Sequence, residues 1–199
     1  MNTQRILNGE KYMEQDSQAK IIEAQAREIF GRVAWSHKTQ EKCADIFNNK
    51  NNFYKICQIA LSAITSTGIF VTVFGDLKWV GVISAFISTG LLALNTYLKN
   101  YDLGQLVQKH VVCAAKLWDI RERYLSLLTD IKSESISIEE MMNKRDQLQI
   151  ELYDIYKGAP RTIEKAYINA GKALKVNQEL TLSDEEIDMF LPIELRKSK

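Results

Sequence analysis

"TVFGDLKWVGV", residues 72–82, decides how this chain folds. Two runs meet at Gly75-Asp76-Leu77-Lys78: Ile56 to Gly75 and Trp79 to Leu98, twenty residues each and free of charge. A hydrocarbon core about 30 Å thick takes roughly 20 helical residues at 1.5 Å each, so both runs are long enough to cross one. A turn this short sets the two helices antiparallel and side by side. Aromatic residues stand where membrane interfaces would lie: Tyr54 opens the first run, Trp79 opens the second, and Tyr97 and Tyr101 close it. The spacing predicts spans at about 56–75 and 79–98; a soluble bundle with this hairpin in its core is the competing arrangement.

Charge is partitioned to match. Residues 56–98 hold only Asp76 and Lys78, while the other 156 residues hold 49 of the 51 charged side chains. Lys38, Lys42, Lys50 and Lys55 precede the first run, Lys99, Lys109 and Lys116 follow the second, and the tip has only Lys78, balanced by Asp76. The positive-inside rule then places both termini in the cytoplasm. The expected fold is an all-α membrane protein: a two-span transmembrane helical hairpin over 53–98, a cytoplasmic N-terminal helical region over 1–52 and a long cytoplasmic helical extension over 99–199. The first 55 residues are polar, and no removable signal peptide is expected.

Each run carries a polar stripe. Gln58, Ser62, Thr65, Ser66, Ile69 and Thr72 share one helical face, and Gly81, Ser84, Ala85, Ser88, Thr89, Leu92, Asn95 and Thr96 share another. Small and hydroxylated residues let helices approach and hydrogen-bond. The stripes either zip the hairpin or its oligomer together, or face a central aqueous path between several hairpins. With no carboxylate or cation inside either run, nothing marks a proton relay, and such a pore is weakly polar.

The remaining sequence is helical in period. Ile21/Ile22, Ala26, Ile29/Phe30 and Val33 make an amphipathic stripe before the first run, and "FNNKNNF", 47–53, predicts a break or an interfacial stretch. Leu103, Leu106/Val107, His110, Ala114, Leu117, Tyr124, Leu128 and Ile131 continue the period after the second run, predicting one rod of about 54 residues, ~80 Å, unless Gly104 bends it. His110 reads as a packing residue, and Asp119 and Arg123 as an i, i+4 pair.

Ser137 with Glu140 makes a capping box for a helix bearing Ile138, Met141/Met142, Arg145, Leu148, Leu152 and Ile155. Gly158 stops it and Pro160 opens the next, expected over about 161–177, burying Ile163, Ala166, Tyr167, Ala170 and Leu174. Ser183 with Glu186 caps a short terminal helix. Arg161, Lys165, Lys172 and Lys175 form a basic stripe, a candidate for an anionic ligand such as a lipid headgroup, a nucleotide or a nucleic-acid end; a solvated face, or one paired with Asp184–Asp188, is the plainer alternative. Arg161, placed in a first helical turn, opposes the helix dipole and hints at an anion.

Chemistry is not signalled. The net charge of +1 gives no reason to expect duplex DNA reading. Cys43, Cys57 and Cys113 form no CxxC or disulfide framework, and His37 and His110 have no ligand partner at helical spacing. There is no P-loop, GxGxxG, GxSxG or HExxH. No cofactor, no metal and no enzymatic activity are expected.

The order of parts resembles a known family. "WSHKTQEKCADIF", the tight hairpin, "LKNYDLGQLVQKH", "KLWDIRERYLSLLTDI", "KRDQLQIELYDIYKGAPRT" and "ELTLSDEEIDMFLP" follow in turn, over roughly residues 30–192. This resembles the SLATT family of two-transmembrane effector domains from bacterial conflict systems. The resemblance implies a homo-oligomeric, pore-forming or membrane-disrupting effector of antiphage defence in the bacterial inner membrane. It would be held quiet until a cognate cyclic-oligonucleotide synthase, its product, or a reverse transcriptase acts, and would then cause abortive infection. Amphipathic helices take up everything outside the hairpin, so either a small signal binds those helices or a partner protein restrains them. The alternative function is a membrane anchor that recruits a cytosolic defence enzyme through its helical part.

Overall fold

The structure, a computed structural model, describes residues 2–75 and 77–197, with side chains from Met13 onward in that range. It consists of α1 (Asn2–Phe74), α2 (Lys78–Asn100), α3 (Leu103–Lys132), α4 (Ile138–Gly158), α5 (Glu164–Lys175) and α6 (Asp184–Phe190), followed by a 3₁₀ turn (Ile193–Leu195). No strand occurs among the described residues. The chain divides into two compact units: residues 1–42 with 111–199, and residues 43–110. Both α1 and α3 run from one unit into the other.

The first unit is a helical bundle. Ile22, Ala26, Ile29 and Val33 of α1 and Leu117, Ile120, Tyr124, Leu127 and Ile131 of α3 recur every three or four residues and are buried together with Met141 and Leu148 of α4. This is the spacing that turns one face of each helix to a common core. Removing a side chain such as Leu117 from water contributes about 1.5–3 kcal/mol. Stripe positions on the shoulder turn outward: Ile21, Met142 and Tyr167 are exposed. α5 packs through Ala166, Ala170 and Ala173, whose size allows close approach.

Polar contacts tie the bundle at its edges. His37 Nδ1 lies 3.0 Å from Ala114 O, bonding α1 to α3 when that nitrogen carries the proton. The Arg121 guanidinium sits 4.6 Å from the Trp118 ring centre and 5.5 Å from that of Phe30. Arg123 pairs with Asp119 as the spacing predicts, and also makes a bidentate pair with Glu151 of α4.

Helix ends follow local chemistry. Both capping boxes form: Ser137 with Glu140, and Ser183 with Glu186. The Glu140 carboxyl is held below its usual range by hydrogen bonds from the backbone and side chain of Ser137. α3 ends in a Schellman arrangement, Glu134 N to Ile131 O and Ser135 N to Asp130 O, with Glu134 at φ 53°. The expected start of α5 at Pro160 is corrected: residues 159–163 are non-helical and α5 begins at Glu164. Arg161 therefore occupies no first helical turn, and the dipole argument for an anion there falls.

The second unit is the hairpin with its base. The break expected at 47–53 does not occur, because α1 continues through it. Weak helix propensity is overridden here by packing, with Phe47 stacked 5.4 Å from the His110 ring. His110 is fully buried, and burial pushes its pKa down. The continuous rod expected after α2 is also corrected: the helix breaks at Tyr101 and Asp102 rather than Gly104. Asp102 Oδ1 accepts from Gln105 N at 2.8 Å, so this carboxylate caps a new helix. Asp76, expected to balance Lys78, lies outside the described residues.

Candidate functional site: a hairpin with one polar flank

Within the hairpin, the half-buried and buried residues of α1 fall at 54, 57, 58, 61, 65, 68, 71 and 72, and those of α2 at 80, 81, 84, 87, 91, 94 and 98. Alternating steps of three and four make these two faces an antiparallel seam. Tyr54 meets Tyr97 edge-on at 6.2 Å, and Gln58 Nε2 donates to Asn95 Oδ1 at 2.6 Å. At the other end glycine is required. A Cβ on Gly68 would run into Ser84 Oγ, and a Cβ on Gly81 would come within 2.8 Å of Thr72 Cγ2. These close approaches need small residues on both sides.

The seam divides the polar candidates. Thr65, Thr72 and Ser84 lie in it, and Asn95 reaches it through Gln58. Ser62, Ser66, Ser88 and Thr89 are exposed. Each residue advances about 100° around its helix, which places Ser62, Ser66, Ser88 and Asn95 roughly 50–120° past the seam. Because the helices are antiparallel, that rotation leads to the same side of the hairpin on both. Thr89 falls nearly opposite the seam and leaves this group. The same side also carries the exposed Ile69, Val73 and Leu92, and the other side carries Ile64, the half-buried Val71 and Ile83, so one flank of the hairpin mixes polar and apolar residues and the other is apolar.

Most of these hydroxyls bond to their own helix. Thr65 Oγ1 donates to Leu61 O, Ser66 Oγ to Ser62 O, Thr72 Oγ1 to Gly68 O and Thr89 Oγ1 to Ala85 O, at 2.8–2.9 Å. No hydrogen bond holds the hydroxyls of Ser62 or Ser88 among the described residues. The surface around the polar flank is strongly apolar: Ile59, Phe70, Phe74, Trp79 and Phe86 are each more than 60% exposed. In each helix only 6% of the most apolar 18-residue window is buried. A core hairpin of a soluble bundle would be mostly covered, and this one is not.

In the bundle, the basic candidates do not form one stripe. Lys165 and Lys172 are exposed seven residues apart on α5, Arg161 lies on the non-helical segment before it, and Lys175 Nζ sits 5.1 Å above the Trp35 ring. The ion cluster that does form was not visible in the periodicity. Glu179 Oε2 lies 2.8 Å from Lys38 and 3.4 Å from Lys42, with Glu41 also on Lys38. The hydrogen bond from Lys38 holds the Glu179 carboxyl down at about 2. Burial works against the charge on Lys38, yet its bonds to Glu179 and Glu41 outweigh that and raise its pKa. Gly68 was equally hidden; its only signal is the small-xxx-small spacing with Thr72.

No disulfide joins the three cysteines among the described residues; Cys43 and Cys113 are buried and Cys57 is half-buried. No cluster of three or more His, Cys, Asp or Glu suited to a metal ion occurs among the described residues. The model of the SMODS and SLOG-associating 2TM effector domain family 4 matches residues 22–186, most of the chain. No curated protein and no solved structure matches. The chain belongs to this family of two-transmembrane effectors associated with antiphage defence.

Proposed function

We propose that this two-transmembrane effector permeabilises the bacterial inner membrane as a homo-oligomer, halting the infected cell. Residues 56–74 of α1 and the greater part of α2 cross the bilayer as a hairpin, with both termini and the bundle in the cytoplasm. Copies assemble through the flank bearing Ser62, Ser66, Ser88 and Asn95, which faces other copies or a narrow water path between them. The observation that carries this reading is the division of polar groups. Seam residues are engaged inside the hairpin, whereas Ser62 and Ser88 remain on an outer face otherwise fit for lipid. Polar groups at bilayer depth find partners in other helices or in water. Release is triggered by a neighbouring sensor, a cyclic-oligonucleotide synthase or a reverse transcriptase.

The test is membrane potential in bacteria expressing the chain together with its neighbouring genes, at matched membrane levels. Wild type should depolarise the cell, Ser66→Leu with Ser88→Leu should not, and Thr89→Leu on the far side should behave as wild type. Depolarisation by the Ser66/Ser88 pair as strong as by wild type would sink the flank assignment.

A second reading, an anchor that recruits a cytosolic enzyme, is favoured by Ile150 and Tyr153, each 64% exposed on α4. Replacing residues 53–98 by an unrelated two-span hairpin separates the two, since an anchor keeps its function and a permeabilising hairpin loses it.

A further inference from the structure

The bundle contains an open cleft of about 510 Å³ in which neither the hairpin nor its assembly plays a part. Trp35, Tyr156 and Tyr167 line it, Thr39 and Gln40 are its most deeply buried lining residues, and Arg161 and Thr162 stand on its exposed part. Among the described residues no carboxylate lines it, and Arg161 is its one charged group. The volume lies in the range of small-molecule sites.

The cleft is built rather than incidental. Tyr156 Oη donates to Ser36 Oγ at 2.8 Å, and Gln40 Nε2 donates to Pro160 O at 3.4 Å, tying the segment that carries Arg161 to α1. Trp35 is fixed from several sides. Its ring lies 5.2 Å from that of Tyr167 at a 47° tilt, under the Lys175 ammonium. A Cβ on Gly171 would come within 3.1 Å of it. Its indole Nε1 is buried with no hydrogen-bond partner among the described residues.

We propose that this cleft binds a nucleotide, with the base against the aromatic side chains and the phosphate on Arg161. Aromatic faces accept any base by stacking, and a guanidinium forms paired hydrogen bonds to phosphate. Thr162 adds a hydroxyl beside Arg161. A ligand held here bridges α1, the end of α4 and α5. The inference does not depend on the permeabilising function: it concerns the bundle alone.

Equilibrium dialysis of the full-length chain in detergent micelles tests it, using AMP, ATP, cyclic di-AMP and cyclic di-GMP, with sodium phosphate as the phosphate-only probe. At least one nucleotide should bind saturably, one per chain, and phosphate alone should not compete at equal concentration. Arg161→Ala and Tyr167→Ser should each weaken binding about ten-fold or more, while Tyr167→Phe, which keeps the ring, stays within about three-fold. Lys165→Ala, outside the lining, should bind as wild type. Both test residues are exposed, and unchanged thermal melting confirms that the variants fold. Absence of saturable binding by all four nucleotides up to about 1 mM overturns the proposal. So does binding indifferent to both Arg161→Ala and Tyr167→Ser, or phosphate binding as tightly as the nucleotide. Dialysis is blind to membrane leakage, so its failure and the failure of the permeabilising function are seen separately.

Discussion

The two units of this chain use opposite sides of the same helical pattern. In the bundle, large side chains such as Leu117, Ile120 and Tyr124 are wholly buried and charges lie outside. In the hairpin the inner face mixes small and polar residues, Thr65, Gly68, Thr72 and Ser84, with half-buried aliphatic ones such as Leu61, Ile87 and Leu91, and Phe70, Phe86 and Trp79 point outward. Water around the first unit rewards burying large apolar groups, about 25 cal/mol per Å². In a bilayer, the surroundings proposed for the second, that driving force is absent and close packing and hydrogen bonds hold the helices.

The contrast can be broken most forcibly at Leu117. Truncating it to Ala should cost about 2–5 kcal/mol in the thermal or denaturant melting of the bundle, because a cavity opens in a closed core. Phe86→Ala, a larger deletion on the outward face of α2, should change stability in detergent by less than about 0.5 kcal/mol. Equal losses at the two positions would mean that the hairpin also hides an apolar core. Gly68→Leu should separate the seam instead, lowering the yield of folded protein in membranes while leaving the melting of the bundle in place.

Acid sharpens the comparison within the bundle. The Glu179 carboxyl is depressed from 4.5 to about 2 by Lys38, so its contribution to stability is complete above about 4.5 and is lost as the pH falls towards 2. Glu179→Gln should remove that part of the acid sensitivity, measured as the difference in melting temperature between pH 6 and pH 3. An unchanged difference would show that the Lys38–Glu179 pair is not formed in solution. The smallest effects belong to helix ends. Ser137→Ala should lose about 1 kcal/mol with its cap, and Glu134→Gly should gain several tenths of a kcal/mol or more by relieving the left-handed φ of 53°.

Much of this was legible in the residues. The two charge-free runs and the tight turn gave the hairpin, and both capping boxes marked helix starts at the right residues. The stripe from Ile22 to Val33 and the period from Leu117 to Ile131 located the core. The errors share a cause: each weighed a local preference without its neighbours. "FNNKNNF" reads as a break on propensity alone, yet Phe47 has His110 to stack on. Gly104 looked like the bend, while the carboxylate of Asp102 two residues earlier supplied the cap that ends one helix and starts another.

The site was legible only as a list of residues. Periodicity put Ser62, Thr65, Ser88 and Thr89 on broad faces, but a face about 100° wide cannot tell a seam from its flank. That requires the register of the pair, which Gln58–Asn95, Gly68–Ser84 and Thr72–Gly81 supply. Similarly, the spacing of Arg161 and Lys175 suggested one stripe. The late start of α5 places Arg161 on the segment before the helix and Lys175 on the Trp35 ring.

The most direct measurement is cysteine crosslinking between copies in native membranes, in a background carrying Cys57→Ala. Ser62→Cys lies on the polar flank and Ile64→Cys a similar angle away on the apolar one. Disulfide-linked dimers at position 62 and not at 64 are the predicted result. Dimers at 64 and none at 62 would contradict the account, since copies would then meet through the apolar flank and the exposed hydroxyls would face lipid.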